Sequence, residues 1–212
     1  MKVRTAQKRE SIVEAAAELF AEMGYERASM SELVKRLGGS KATLYGYFPS
    51  KEALFEAVVR AAATSHLSEG MNELSLASVE SRERLESALL QFAERVLLVT
   101  QNDERALAVY RMVIAESGHS DVGKLFHESG PRQSMDALAK FMAAAMDRGI
   151  LRRADPEVTS QQFTALVTAE VQLRLYQRNP PRLAIKQIRR MARCAVDTFF
   201  AGVALPSARE RP

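Results

Sequence analysis

Apolar side chains recur every three or four residues along most of this 212-residue chain. Between Thr5 and Met23, for instance, Ile12, Ala16 and Leu19 keep that spacing, which places them on one face of a helix. No segment shows the sustained apolar and polar alternation that a half-buried strand needs. The sequence therefore predicts an all-α fold.

The composition is that of an ordinary globular protein. Apolar residues make up 47% of the chain and charged residues 26%, and no stretch approaches the length of about 18 unbroken apolar residues that a membrane span needs. The single cysteine, Cys194, excludes an intrachain disulfide, and we expect it to be a small core residue. Acidic residues interrupt the segment that would be apolar in a secretion signal. The composition thus predicts a soluble cytoplasmic protein that does not bind a membrane.

Most of the net positive charge lies near the amino end. Residues 1–51 contain nine Lys and Arg against six Glu, and so carry +3 of the formal net charge of +4. A basic surplus on a small segment suits a polyanionic partner such as nucleic acid. The same surplus is also compatible with a solvated surface that has no partner.

Glycine and serine divide the region after the first helix into short helices. Gly24 can end the first helix, and Ser29, Ser40 and Ser50 can each cap the start of another. Two consecutive glycines between the two short helices allow a tight turn. Two short helices joined in this way, with a longer helix before and after them, make a helix-turn-helix unit.

The second short helix, Lys41–Phe48, has an apolar anchor and a polar face. Leu44 and Phe48 lie four residues apart and can pack on the core. The exposed positions carry a cation, a small residue, a hydroxyl and two phenols, namely Lys41, Ala42, Thr43, Tyr45 and Tyr47. A helix of this width fits the DNA major groove, and these groups can bind phosphates and base edges. A catalytic site needs convergent acids, bases or metal ligands, which this segment lacks. The segment predicts DNA binding, with packing of the two tyrosines as the alternative.

The run from Gly24 to Leu54 resembles the DNA-binding domain of TetR/AcrR-family transcriptional regulators. The pattern Ser-Lys-x-Thr-Leu-Tyr-x-Tyr-Phe-x-Ser-Lys-Glu-x-Leu, which begins at Ser40, carries the resemblance. It implies an N-terminal three-helix helix-turn-helix DNA-binding domain followed by a helical ligand-binding and dimerisation domain. We expect the first domain to span residues 1–50 and extend into a connecting helix at 51–67, the second to span 68–204, and residues 205–212 to be a loose tail.

The resemblance also implies roles for individual side chains in binding double-stranded DNA. The recognition helix would run from Ser40 to Tyr45, with Lys41, Ala42 and Thr43 nearest the bases. Ser31 could touch a base from the first short helix. The residues implied as phosphate contacts are Ser29, Tyr45, Tyr47 and Lys51.

Side chains of the central helices could enclose a small hydrophobic effector, with a few polar contacts. The apolar candidates are Phe92, Val96, Tyr110, Met112, Phe126, Phe141 and Phe163, and the polar candidates are Glu116, His127 and Glu170. Membership of an ordinary core is the alternative for each apolar candidate.

The last two helices, which we expect to begin at Pro156 and Pro181, are candidates for a dimer interface. The earlier helix offers Phe163, Leu166, Val167, Leu173 and Tyr176, and the final helix offers Ile185, Ile188, Ala192, Val196 and Phe199. In the resembling family, two such helices from each subunit form a four-helix seam, whereas the pattern alone equally allows burial within one monomer. A basic stripe on the final helix could be a solvated face or a second nucleic-acid surface. It consists of Arg182, Lys186, Arg189, Arg190 and Arg193.

Together with these features, the resemblance implies a ligand-responsive regulator of transcription. We expect a repressor that binds a pseudo-palindromic operator as a homodimer and is released by a small effector. The three histidines lack the spacing of metal ligands, so we expect neither a metal nor a cofactor. No nucleophile with its catalytic partners is recognisable, so we expect no enzyme. The alternative is a helical small-molecule carrier or enzyme with a DNA-binding-like head.

Overall fold

The computed structural model describes residues 5–64, 74 and 79–203. Within these residues the backbone forms helices and no strand, which confirms the predicted all-α fold. The ten α-helices of this part of the chain are α1 Ala6–Met23, α2 Met30–Leu37, α3 Lys41–Tyr47, α4 Lys51–Val59, α5 Arg82–Asn102, α6 Glu104–Glu116, α7 Val122–Glu128, α8 Pro131–Asp147, α9 Pro156–Thr168 and α10 Ile185–Val203. A π-helical turn, Arg60–Thr64, follows α4, and a 3₁₀ segment, Ala169–Tyr176, follows α9.

Serine hydroxyls begin the three short helices of the amino-terminal region, as the sequence predicts. The Oγ atom of Ser29 accepts a hydrogen bond from the backbone N–H of Glu32, and Ser40 and Ser50 make the equivalent bond to the third residue of α3 and of α4, each at 3.1 Å. Each bond satisfies an N–H that has no partner within its own helix. The short helices therefore start where the local sequence dictates.

Two glycines end helices in conformations that other residues avoid. Gly24 follows α1 with φ of +79°, and Gly38 follows α2 with φ of +63° and ψ of +33°. A Cβ atom disfavours both conformations. These glycines set the sharp changes of direction before and within the helix-turn-helix.

The described residues divide into two compact units. The head unit comprises residues 5–64 and 103–131, and the body unit comprises the described residues from 74 to 102 and from 132 to 203. The sequence predicted a single boundary near residue 67, with 103–131 in the second domain. The structure groups 103–131 with the head unit because Val109, Met112, Val113 and Val122 are buried in its core.

The head core is centred on three aromatic rings from different elements. Phe20 of α1, Tyr25 of the following loop and Phe55 of α4 have ring centroids 5.0–5.7 Å apart, in tilted or edge-to-face arrangements that favour the ring quadrupoles. Leu44 and Phe48, each 2% exposed, join this core from α3. Burial of these two side chains leaves Lys41, Ala42, Thr43 and Tyr45 facing outward.

The body core is formed by the apolar faces of α5, α8, α9 and α10. At its centre Phe163 is fully buried, and its ring lies 6.3 Å from that of Phe92 and 5.0 Å from that of Phe199. These contacts join α9 to α5 and to α10.

No helix of the described residues is long and apolar enough to cross a membrane.

The end of the chain departs from the sequence prediction in three places. Pro156 does open α9, but the last helix begins at Ile185 rather than at Pro181. The backbone before it is bound by Asn102, whose Nδ2 donates to the Leu183 carbonyl and whose Oδ1 accepts from the Leu183 N–H. Leu173 and Tyr176 lie on the 3₁₀ segment that follows α9. Cys194 is exposed on α10, so the prediction of a core cysteine was wrong.

Candidate functional site

The outward face of α3 carries the side chains that the sequence predicts to contact DNA. Lys41, Ala42, Thr43 and Tyr45 are exposed, and Tyr45 keeps 48% of its surface accessible. Leu44 fixes the opposite face in the core. The helix thus presents an ammonium, a methyl, a hydroxyl and a phenol group together, a set that can meet both phosphates and base edges.

Two hydroxyls meet at the amino end of α3. Ser40 Oγ lies 2.9 Å from Thr43 Oγ1 and accepts the backbone N–H of Thr43. Ser29, exposed at the amino end of α2, caps that helix in the same way, and Ser31 is half-buried two residues further along. A capping hydroxyl accepts through a lone pair, so the cap itself does not use its hydrogen. At Ser40 either this hydrogen or that of Thr43 lies between the two hydroxyls, which leaves the other free to donate to an anion.

The aromatic end of α3 also holds the start of α1. Tyr47 is half-buried, and its hydroxyl oxygen accepts a hydrogen bond from the backbone N–H of Thr5 at 3.2 Å. The guanidinium of Arg9 lies 5.0 Å from the centroid of the Phe48 ring, within the range of a cation–π contact. Tyr47 therefore has a packing role, while its predicted phosphate contact stays a prediction.

Lys51, a predicted phosphate contact, is bonded within the head unit. Its Nζ donates to the carbonyl oxygens of Tyr25 at 3.0 Å and Glu26 at 3.4 Å, and lies 4.2 Å from the centroid of the Tyr25 ring. An ammonium has three hydrogens, so two carbonyls leave one for a further acceptor. The carbonyl contacts lie 25 and 26 residues away along the chain, which is why the local sequence did not indicate them.

Tyr25 and Glu52 form a polar contact at the rim of the head core. The Tyr25 hydroxyl donates to Glu52 Oε1 at 3.4 Å. Burial, followed by the nearby charge of Glu52, raises the pKa of Tyr25. Hydrogen bonds from the backbone N–H of Glu52 itself and from the Ser50 hydroxyl lower the pKa of Glu52. The pair consequently favours a protonated phenol beside an ionised carboxylate.

Glutamates on α1 link that helix to its neighbours. Glu22 pairs with Arg36 of α2 at 2.6 Å, and this hydrogen bond lowers the pKa of Glu22. Glu14 pairs with Arg105 of α6 at 3.1 Å. These two glutamates therefore link α1 to α2 and to α6.

The ten predicted effector residues do not gather within one unit. Four apolar ones are buried in the body core, and five belong to the head unit, where Tyr110 is 42% exposed and Met112 is core. Glu170 lies exposed on the body unit and pairs with Arg190. The body group is Phe92, Val96, Phe141 and Phe163, and the head group is Tyr110, Met112, Glu116, Phe126 and His127.

Two open grooves were not anticipated from the sequence. One, of about 410 Å³, lies in the body unit between α5 and α10 and is lined by Gln91, Glu94, Arg95, Leu98, Ile185 and Ile188. The other, of about 400 Å³, lies in the head unit and is lined by Tyr25, Glu26, Glu52, Asp121, Val122, Lys124, Leu125 and Glu128. In the part of the chain that the structure describes, no group of three or more His, Cys, Asp or Glu could hold a metal ion.

The predicted dimer residues separate into buried and exposed sets. Six of them are core residues of the single chain, each at most 2% exposed, namely Phe163, Val167, Ile188, Ala192, Val196 and Phe199. These six side chains are thus covered by their own chain, and their predicted place in a dimer interface stays a prediction. Leu166 is partly buried, whereas Leu173, Tyr176 and Ile185 are 73%, 81% and 51% exposed.

Arginines of the basic stripe on α10 pair with carboxylates of the same unit. Arg190 contacts Glu170, and Arg193 contacts Glu86 of α5. Arg189 Nε lies 3.8 Å from Glu94. These pairs neutralise much of the stripe, which favours the solvated face over a second nucleic-acid surface.

The amino-terminal and the carboxy-terminal parts of the chain both match family models of transcriptional regulators. Residues 12–58 match the family model for bacterial regulatory proteins of the tetR family. Residues 87–202, more than half of the chain, match the model for the C-terminal domain of AefR-like transcriptional repressors.

Individual relatives match between 76% and 96% of the chain's length. The HTH-type transcriptional regulator YezE of Bacillus subtilis is 27% identical over 173 residues, which cover 76% of this chain and 87% of the relative. A TetR-family regulator from Mesorhizobium loti has a TM-score of 0.73 at 26% identity, covering 96% of this chain and 100% of the other. The flavonoid-responsive regulator FrrA has a TM-score of 0.69 at 30% identity with the same coverage. The chain therefore belongs to the TetR family of transcriptional regulators, a family of DNA-binding proteins and not of enzymes.

Proposed function

We propose that this regulator is a homodimeric repressor that binds a pseudo-palindromic operator and leaves it when a small, largely hydrophobic effector binds. The observation that carries the proposal is the face of α3. Lys41, Ala42, Thr43 and Tyr45 project together from a helix whose other side is fixed by Leu44. A helix anchored in this way can enter a major groove as a rigid element.

Within the interface, some side chains would contact base edges and others would contact phosphates. Lys41, Ala42 and Thr43, in the first turn of α3, would lie nearest the bases, with Ser31 close by on α2. Ser29, Tyr45, Tyr47 and the remaining hydrogen of Lys51 would bind phosphates. Phosphate contacts fix the register of a protein on DNA, while contacts to base edges select the sequence.

A dimer would present two copies of α3 to consecutive turns of the duplex, about 34–36 Å apart. The exposed side chains of Leu173, Tyr176 and Ile185 support self-association through the carboxy-terminal helices, because large apolar side chains are costly to leave in water. Two-fold symmetry of the protein would then be matched by a pseudo-palindrome in the DNA. A cytoplasmic location, beside the DNA, belongs to the same proposal.

The name of FrrA supports an aromatic effector, since that relative is described as flavonoid-responsive and is 30% identical to this chain. The body unit offers aromatic side chains in its core and a groove of about 410 Å³, within the size range of small-molecule sites. An effector would lower the affinity for DNA only to the extent that it prefers the conformation that does not bind DNA.

The DNA-binding part is tested by selecting bound duplexes from a random pool and measuring their affinity by gel shift. We expect K41A and Y45A to weaken binding about tenfold, the loss of one or two polar contacts. K140A, which removes an exposed lysine from α8 of the body unit, is the matched control and should bind like the parent. Affinity should fall steeply with salt, and K41A should reduce that slope if Lys41 contacts a phosphate. A parent protein that binds no duplex at low salt would contradict the proposal.

Effector release is tested separately with the selected duplex. Flavonoids and other small aromatic compounds are titrated into the complex, and we expect at least one class to release the DNA. A broad panel without effect would contradict release by an aromatic effector. The alternative of a carrier or enzyme with a DNA-binding-like head is not retained, because both family models describe transcriptional regulators.

A further inference from the structure

The loop that precedes the helix-turn-helix is bound by charged side chains from two helices. This loop, residues 24–28, connects α1 to the cap of α2. Lys51 of α4 donates to the carbonyl oxygens of Tyr25 and Glu26, as described above. Glu116, the last residue of α6, accepts the backbone N–H of Glu26 through Oε2 at 3.0 Å. Glu26 is therefore bound through its N–H by an anion and through its carbonyl by a cation.

Gly24 provides the space that this contact needs. A Cβ atom built on Gly24 would overlap the carboxylate of Glu116. The position already excludes most side chains through its φ of +79° and ψ of +166°. The absence of a side chain at Gly24 thus ends α1 and also lets Glu116 reach the loop.

The helix that carries Glu116 is fixed along α1. Near its amino end, Arg105 of α6 pairs with Glu14 of α1. Between the two polar contacts, Val109, Met112 and Val113 are buried in the head core. The Arg105–Glu14 pair and the buried side chains fix the position of α6, and this position brings the carboxylate of Glu116 to the loop.

We propose that Glu116 is a positioning residue for DNA binding: by holding the N–H of Glu26 it sets the loop at 24–28, and through the loop the start of α2 and the orientation of α3. Ser29, which caps α2, follows the loop directly, and only three residues separate α2 from α3. A displaced loop would therefore displace the recognition helix. A hydrogen bond to a charged acceptor is about twice as strong as a neutral one, which suits this role. The inference rests on the proposed DNA binding.

The test compares E116A, E116Q and the parent on the duplex selected by the parent. E116A should bind about tenfold more weakly, whereas E116Q should stay within about threefold, since its amide oxygen can still accept the N–H of Glu26. E128A is the matched control, because Glu128 is the exposed last residue of α7 in the same unit. Without DNA, the Glu26 amide should exchange with solvent faster in E116A than in E116Q or the parent.

The outcomes separate this inference from the proposed function. A parent that binds no duplex overturns both. A parent that binds, together with an E116A variant that binds equally well or an E116Q variant that binds as weakly as E116A, overturns the positioning role alone. Should E116A fail to fold, E116D replaces it, because aspartate keeps the charge but withdraws the carboxylate by one methylene. In that case E116D should bind the duplex more weakly, and its Glu26 amide should exchange with solvent faster than in the parent. An E116D variant that behaves like the parent in both measurements would overturn the inference.

Discussion

Lys51 Nζ lies 3.0 Å from the carbonyl oxygen of Tyr25 and 4.2 Å from the centroid of the same residue's ring. One ammonium therefore binds both the backbone and the π face of a single buried residue. The contact joins α4 to the loop before the helix-turn-helix, so a residue predicted to bind phosphate is also part of the fold.

We expect K51M to lower the free energy of unfolding by about 1–3 kcal/mol without any DNA present. Two carbonyl oxygens would lose a charged donor, and the Tyr25 ring would lose its cation. Urea denaturation followed by circular dichroism measures the change. K41A, which removes an exposed lysine, should shift stability by less than about 0.5 kcal/mol. Equal stabilities for K51M and K41A would show that the Lys51 contacts contribute nothing to the fold.

Tyr25 should make stability fall at alkaline pH. The folded protein holds the phenol proton more tightly than the unfolded chain, because burial and the charge of Glu52 raise the pKa of Tyr25 above its ordinary value of 10.0. The corresponding stability is complete below pH 10.0 and is lost as the pH rises towards the raised pKa. We expect the free energy of unfolding to fall more steeply above pH 10.0 in the parent than in Y25F.

Tyrosinate absorbance provides a direct check of the same group. A late phase of the alkaline titration should be present in the parent and absent in Y25F. If both proteins titrate alike, the phenol of Tyr25 is not protected by its surroundings.

Phe163 should matter for stability more than for self-association. Its ring is fully buried against Phe92 and Phe199, so F163A should cost about 3–5 kcal/mol of unfolding free energy, through lost burial and the cavity that remains. Y176A removes an aromatic ring that is 81% exposed and should cost far less. Urea denaturation distinguishes the two variants, and a small loss in F163A would contradict the central place of this ring in the body core.

Leu173 should matter for self-association more than for stability. Leu173 is 73% exposed, so its replacement should change the free energy of unfolding of the monomer only slightly. A charge at this position would oppose an apolar contact between subunits. We expect L173E to shift the sedimentation-derived mass towards the 23.5 kDa monomer while its unfolding transition stays close to that of the parent. I114E introduces the same charge at an exposed apolar site of the head unit, 52% accessible, and should leave the mass unchanged. Unaltered association in L173E would remove this residue from the proposed dimer face.

Much of the amino-terminal region could be predicted because its signals are local. A serine hydroxyl that caps a helix acts on an N–H three residues away, and Leu44 and Phe48 are spaced to share one face. The exposed set on α3 follows from the same periodicity. The dimer and effector residues could not be predicted in this way, since an apolar stripe such as Ile188, Ala192 and Val196 looks identical whether its own chain or a partner covers it.

The amino-acid sequence by itself determined where the short helices begin and end, and which side of α3 faces outward, because capping and helical periodicity act over only a few residues. Tertiary structure alone decided which distant groups meet. Glu116 lies 90 residues from Glu26 and still binds its N–H, and Asn102 binds the backbone of Leu183 from 81 residues away. Such pairs depend on how whole helices pack, and this packing results from the summed burial of many side chains rather than from any local pattern.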